Sequence, residues 1–132
     1  MKKRGIGKFK LRNYFSDLLI VFLIILIFTL IDAFIHSLSP EYAVPDYYFR
    51  NKIIFGTIIG FITYLFIKNK SLFTKSLIFS VVISVLLQIR YALEGYNLKF
   101  VIEFLFFHFL ILLFTSIIIF KSKKYLKGGR KE

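Results

Sequence analysis

No cysteine occurs anywhere in the chain, which rules out disulfides, zinc-thiolate sites and thiol catalysis together. Tryptophan is absent too, while lysine, isoleucine, phenylalanine, tyrosine and asparagine are abundant, a bias expected of an AT-rich genome, so the 18 phenylalanines carry little functional weight. Neither an HExxH-type metal motif nor a recognisable nucleophile arrangement is present, which leaves no motif-borne enzyme chemistry and no cofactor expectation. There is no convincing internal repeat, and no low-complexity linker beyond basic tails. The 132 residues therefore read as one domain.

What the chain does have is apolar length. At 58% hydrophobic content with a positive mean hydropathy, it is far too apolar for an ordinary soluble domain of its size,. Its formal charge of +12 invites a nucleic-acid reading. The basic residues lie in the tails and one loop, however, flanking apolar runs instead of forming a stripe on one face. Nucleic acid is thus disfavoured as a partner, and anionic lipid headgroups are the expected counter-charge at the tails.

Four apolar runs predict an all-α, integral membrane four-helix bundle, with helices near 15–38, 47–67, 72–93 and 98–120. In the first, only Asp32 and His36 interrupt Leu18 to Leu38, and about 20 residues at 1.5 Å each cross a hydrocarbon core of roughly 30 Å. Ser37-Leu38-Ser39 resembles a signal cleavage site, but Pro40 behind it disfavours cutting,. Asp46 after Pro45 offers an N-cap for the second helix, which places Arg50 and Lys52 in the headgroup layer with their ends snorkelling. Ser71 and Asn97 are the expected caps of the third and fourth helices, and Gly95 the stop of the third. The short connection after it predicts an antiparallel hairpin.

All but Arg50, Lys52, Arg90 and Lys99 of the 19 lysines and arginines fall on the side shared by both tails and the loop carrying Lys68, Lys70 and Lys75. The positive-inside rule then makes both termini cytoplasmic in a multi-pass cell-membrane protein. The C-terminal basic stretch from Lys121 reads as a stop-transfer and orientation signal. Tyr14, Tyr64 and Tyr125 near inner ends, and Tyr42, Tyr47, Tyr48, Tyr91 and Tyr96 near outer ends, suggest two aromatic belts,.

Polar residues inside the runs are few and sit toward the outer end. Asp32 and His36 share a face of the first helix, with Asp32 roughly 9 Å below Leu38. An ionised aspartate at such depth costs about 2.5 to 3.5 kcal/mol on insertion scales, so it must face the bundle interior. Gln88 and Arg90 lie on the third helix, about 200° apart around its axis. On the fourth, Glu103 is shallow, and His108 lies roughly 12 Å below Phe100. Together Asp32, His36, Gln88, Arg90, Glu103 and His108 define a candidate outward-facing polar pocket, floored by residues such as Leu23, Phe28, Leu65 and Phe114. An estimated 9 Å depth difference between His36 and His108 counts against a shared metal. Gly56 and Gly60 form a GxxxG motif, and Ser76, Ser80, Ser84 and Gln88 recur every four residues. Both patterns predict close helix packing, within the bundle or in a homo-oligomer.

Three functions are compatible with this pattern. A structural, assembly or accessory component without catalytic activity needs only a polar layer that fixes helix register, and is the leading expectation. A transport or ion- or proton-binding protein would use the polar pocket. A membrane-embedded enzyme acting on lipid headgroups would need His36 or His108 as base and Arg90 on phosphate. Convergence of the six polar residues favours binding; separate pairs favour scaffolding.

Overall fold

A computed structural model describes the backbone of residues 2–128 and the side chains of residues 11–123. Four helices follow one another: α1 (Lys2–Ser37), α2 (Tyr47–Ile67), α3 (Leu72–Leu93) and α4 (Leu98–Gly128), with a single 3-10 turn at Pro40–Tyr42 between the first two. All four contain segments long and apolar enough to cross a membrane, and in α1 and α4 these are Leu11–Ser37 and Leu98–Lys123. Both helices continue past their apolar runs into the basic tails. Each helix packs on its sequence neighbours, and α4 closes the ring against α1. The 3-10 turn and the α3–α4 turn lie at one end, called here the loop end; the described parts of the tails and the α2–α3 turn lie at the other, the tail end.

The caps differ from expectation in two of three places. Asp46 is itself helical and its carboxylate caps nothing; Phe49 N–H bonds the Asp46 backbone carbonyl instead. Ser71 likewise makes no cap bond, because its hydroxyl donates to Thr74 Oγ1. Asn97 Oδ1 does accept from Phe100 N–H at 2.8 Å, satisfying one of the donors a helix start leaves open. Gly95 has φ +90° and ends α3, with Tyr96 N–H reaching back to the Tyr91 carbonyl, a closure that calls for the left-handed region glycine enters freely.

Packing at the tail-end half is apolar. Val21, Ile24, Ile25 and Phe28 of α1 meet Tyr64 and Ile67 of α2, Phe79 and Ile83 of α3, and Leu112 and Phe120 of α4. The floor residues read from sequence divide here. Phe28 is in this core, Leu65 is partly buried, and Leu23 and Phe114 face outward, 42% and 62% exposed. Gly56 and Gly60 turn inward against α1: a Cβ on Gly60 would come within 2.9 Å of Val21 and 3.2 Å of Phe79, and one on Gly56 within 3.1 Å of Ile25. Their missing side chains let α1 and α2 approach within the chain, so a homo-oligomer would have to use another face. The serine stripe is buried as well, and Ser80 and Ser84 donate to carbonyls one turn back on α3. These two hydroxyl protons are thus spent on their own helix, while the Ser76 hydroxyl has no partner among the described residues.

The tail-end half carries buried charge as well, contrary to the sequence reading, which put the polar residues toward the other end. Asp17 is buried and bonded by Lys123 of α4, with Lys68 Nζ 3.9 Å away. Lys123 also donates to Tyr64 Oη at 3.0 Å. Asp17 and Asp32 stand on the buried stripe of α1 with Val21, Ile25 and Phe28, and each is neutralised by a lysine from another helix.

Candidate functional site

The register of each helix brings one polar residue to the same point inside the loop-end half. Asp32 of α1 is completely buried and accepts bonds on both carboxylate oxygens: Lys52 Nζ of α2 on Oδ2, and His108 Nε2 of α4, at 2.8 Å, on Oδ1. The other ring nitrogen of His108 meets the Gln88 side-chain amide of α3 at 2.7 Å. One unbroken hydrogen-bonded chain thus joins all four helices. His36, one turn above Asp32 on α1, donates from Nδ1 to the Tyr42 carbonyl at 2.5 Å. This fixes its tautomer whenever the ring is neutral and points the Nε2 lone pair inward, 3.5 Å from Asp32 Oδ2,.

Lys52 corrects the sequence reading. Placed in the headgroup layer from its nearness to the helix start, it is instead 4% exposed and pairs with Asp32. The signal was in the spacing: Tyr48, Lys52, Gly56, Gly60 and Tyr64 recur every four residues and form the buried stripe of α2. Its ammonium also lies 5.2 Å from the Tyr91 ring centre and 5.6 Å from that of Phe49, a cation–π setting that offsets part of its desolvation.

Two of the six candidates stand apart. Arg90 bonds Glu94, the residue just past the end of α3, at 3.1 Å and lies over the Tyr48 ring, and Glu103 lies 4.0 Å from Lys99. All four of these partners are partly solvent-exposed. The structure therefore brings together Asp32, His36, Gln88 and His108, adds Lys52, and leaves Arg90 and Glu103 at the rim.

The cluster is enclosed and does not open outward as a pocket. The apolar core lies on its tail-end side, with Phe28 edge-on to His108 at 5.2 Å. On its loop-end side Tyr48, Tyr91, Phe100 and Phe104 form a second packed group, and the His36 ring stacks on Phe104 at 4.2 Å. Within this enclosed shell three buried atoms lack a hydrogen-bond partner among the described residues: His36 Nε2, Gln88 Oε1 and the Tyr91 hydroxyl. Unpaired buried polar atoms cost roughly 1 to 3 kcal/mol each, so native proteins rarely gather them without use.

Among the described residues, Asp32, His36 and His108 each place one ligand-type atom within 4.8 Å of the others. The depth difference that argued against a shared site is absorbed by the side chains, because His36 and His108 reach the same carboxylate from different helices. Neither a family model, nor a curated protein, nor a solved structure matches this chain, so its function has to be read from the cluster itself.

Proposed function

We propose that the chain is a transport-related membrane protein that binds a small cation at Asp32, with both termini cytoplasmic and the site in the outer half of the bilayer. The orientation rests on the lysines and arginines gathered at the tail end, where anionic headgroups are their natural partners. The observation carrying the function is the pairing of His36 Nε2 with Asp32: a buried acceptor without a partner aimed at a carboxylate 3.5 Å away. Two electron-rich groups held face to face in a low-dielectric shell need positive charge between or beside them, which Lys52 on Oδ2 supplies here and an incoming cation would supply in its place,.

Each residue has a role on this reading. Asp32 supplies the charge, His36 and His108 supply neutral donor atoms, and Gln88 and the Tyr42 carbonyl set the ring orientations. Lys52 is a tethered cation that neutralises Asp32 until another cation competes for it. The aromatic group above and the apolar core below keep the site dry, so exchange requires movement of one of these layers.

The accessory reading retains one specific support, the chain of bonds from Lys52 through Asp32 and His108 to Gln88, which ties every helix to a single register. Lipid-headgroup chemistry has less: both histidines are sealed from the surface and Arg90 is engaged with Glu94. Vesicles carrying the purified protein are expected to dissipate a proton or metal-ion gradient faster than empty vesicles, and Asp32→Asn to abolish the difference. Equal rates in protein-bearing and empty vesicles, with the protein folded, would leave register fixing as the surviving function.

A further inference from the structure

We infer that the cation is a divalent metal of the zinc class, held by Asp32, His36 and His108. This deepens the cation-site reading above and rests on it.

The donor set selects the metal. Two imidazoles and one carboxylate suit zinc and its first-row neighbours, whereas magnesium and calcium prefer oxygen-rich shells. Donors around a tetrahedral zinc at about 2.0 to 2.1 Å lie roughly 3.4 Å apart. Here His108 Nε2 stands 2.8 Å from Asp32 Oδ1 and His36 Nε2 3.5 Å from Oδ2, and one ligand-type atom from each of the three residues falls within 4.8 Å of the others. Side-chain adjustments of about an ångström bring such a set to bonding distance.

The surrounding hydrogen bonds match the way proteins orient metal-bound histidines, in which the second ring nitrogen donates to a carbonyl or carboxylate. His36 Nδ1–H already does so to Tyr42. His108 requires one change. When its Nε2–H donates to Asp32, its Nδ1 accepts from the Gln88 amide nitrogen and Gln88 Oε1 is left without a partner. With Nε2 turned over to a metal, the ring proton resides on Nδ1, and rotating the Gln88 amide lets Oε1 accept it. Metal binding therefore engages the unpaired His36 Nε2, while at Gln88 it exchanges which amide atom bonds the ring, Oε1 in place of the nitrogen.

Lys52 is the competitor. Its ammonium occupies Asp32 Oδ2, so a metal must displace it. Removing the positive charge while keeping a hydrogen-bond donor, as in Lys52→Gln, should strengthen metal binding, an effect a merely structural cluster would not produce.

The test uses tag-free full-length protein in detergent, with Co²⁺ as the coloured probe and Zn²⁺ in competition. One Co²⁺ per chain with the visible bands of a low-coordinate site is expected, displaced by Zn²⁺ and untouched by Mg²⁺. His36→Gln should weaken binding at least tenfold and Lys52→Gln should tighten it at least tenfold, with circular dichroism and gel filtration establishing that each variant is folded. Folded wild type and Lys52→Gln that both fail to bind Co²⁺ or Zn²⁺ would overturn the metal site, as would His36→Gln binding as tightly as wild type. Failure to bind metal alongside a retained Asp32-dependent proton flux removes the metal alone. Metal binding without flux upholds the metal site and removes transport.

Discussion

Asp32 and Lys52 face each other across the α1–α2 interface as an ion pair whose side chains are 0% and 3% exposed. In water such a pair is worth little, because solvent already stabilises both charges. Here each charge depends on the other, and the energetic asymmetry is large: forming a buried pair gains modestly, whereas removing one member strands the other. Lys52→Met is accordingly expected to cost about 3 to 5 kcal/mol of stability. Adding Asp32→Asn should return part of that loss, so the double variant is less damaged than the sum of the singles. Unfolding in detergent by heat or denaturant measures both; strict additivity would show that the pair is not coupled.

The rim pairs should behave oppositely. Arg90 with Glu94 and Lys99 with Glu103 are partly exposed i,i+4 contacts, of a kind worth about 0.3 to 0.5 kcal/mol. Arg90→Gln and Glu103→Gln are expected to leave stability within about 1 kcal/mol of wild type and Co²⁺ affinity within twofold. A tenfold loss of affinity in either would place that residue back in the site.

Gly56, Gly60 and Gly95 separate close approach from backbone conformation. A methyl at Gly60 meets Val21 and the Phe79 ring, so Gly60→Ala should destabilise by about 1 to 3 kcal/mol,. Gly56→Ala, opposed by the Ile25 side chain alone, should cost less. Gly95→Ala has open space around it but a φ of +90°, and should cost about 1 kcal/mol through strain. Thermal midpoints falling in another order would contradict this packing.

At the tail end, Lys123 donates to both Asp17 and Tyr64 Oη. Tyr64→Phe removes one bond and keeps the ring stacked on Phe120 at 5.3 Å. The expected loss is about 0.5 to 1.5 kcal/mol, whereas Asp17→Asn, which takes away the carboxylate facing Lys123, should cost more. The same unfolding measurement decides; an Asp17→Asn variant as stable as wild type would show that the ion pair carries no weight.

The residues announce some of this and conceal the rest for a physical reason. Four apolar runs reveal four helices long enough to cross a membrane, because length and hydropathy are properties of a segment by itself. Asp32 reveals its inward orientation through the cost of the alternative. Depth can be counted along a helix at 1.5 Å per residue, but azimuth toward a neighbour depends on packing. Arg90 and Glu103 therefore share the cluster's end of the bundle in sequence, yet their near neighbours along the chain, Glu94 and Lys99, hold them at the rim. Lys52 was hidden by the opposite error: its position near a helix start suggests snorkelling, while its register with Gly56 and Gly60 commits it to the interior. The register was the stronger signal. Asp17 gives no such signal, because it stands at the edge of an apolar run, where hydropathy ceases to discriminate.

The ring of helices also imposes an order on biosynthesis. Asp32 leaves the ribosome 20 residues before Lys52 and 76 before His108, or about 1 to 4 seconds and 4 to 15 seconds at typical elongation rates. Either charge alone is costly in lipid, about 2.5 to 3.5 kcal/mol on insertion scales. The favourable route admits α1 and α2 together, as a hairpin already neutralised. The histidine of α4 then arrives last, and the cluster exists only once the translocation machinery has released the whole chain.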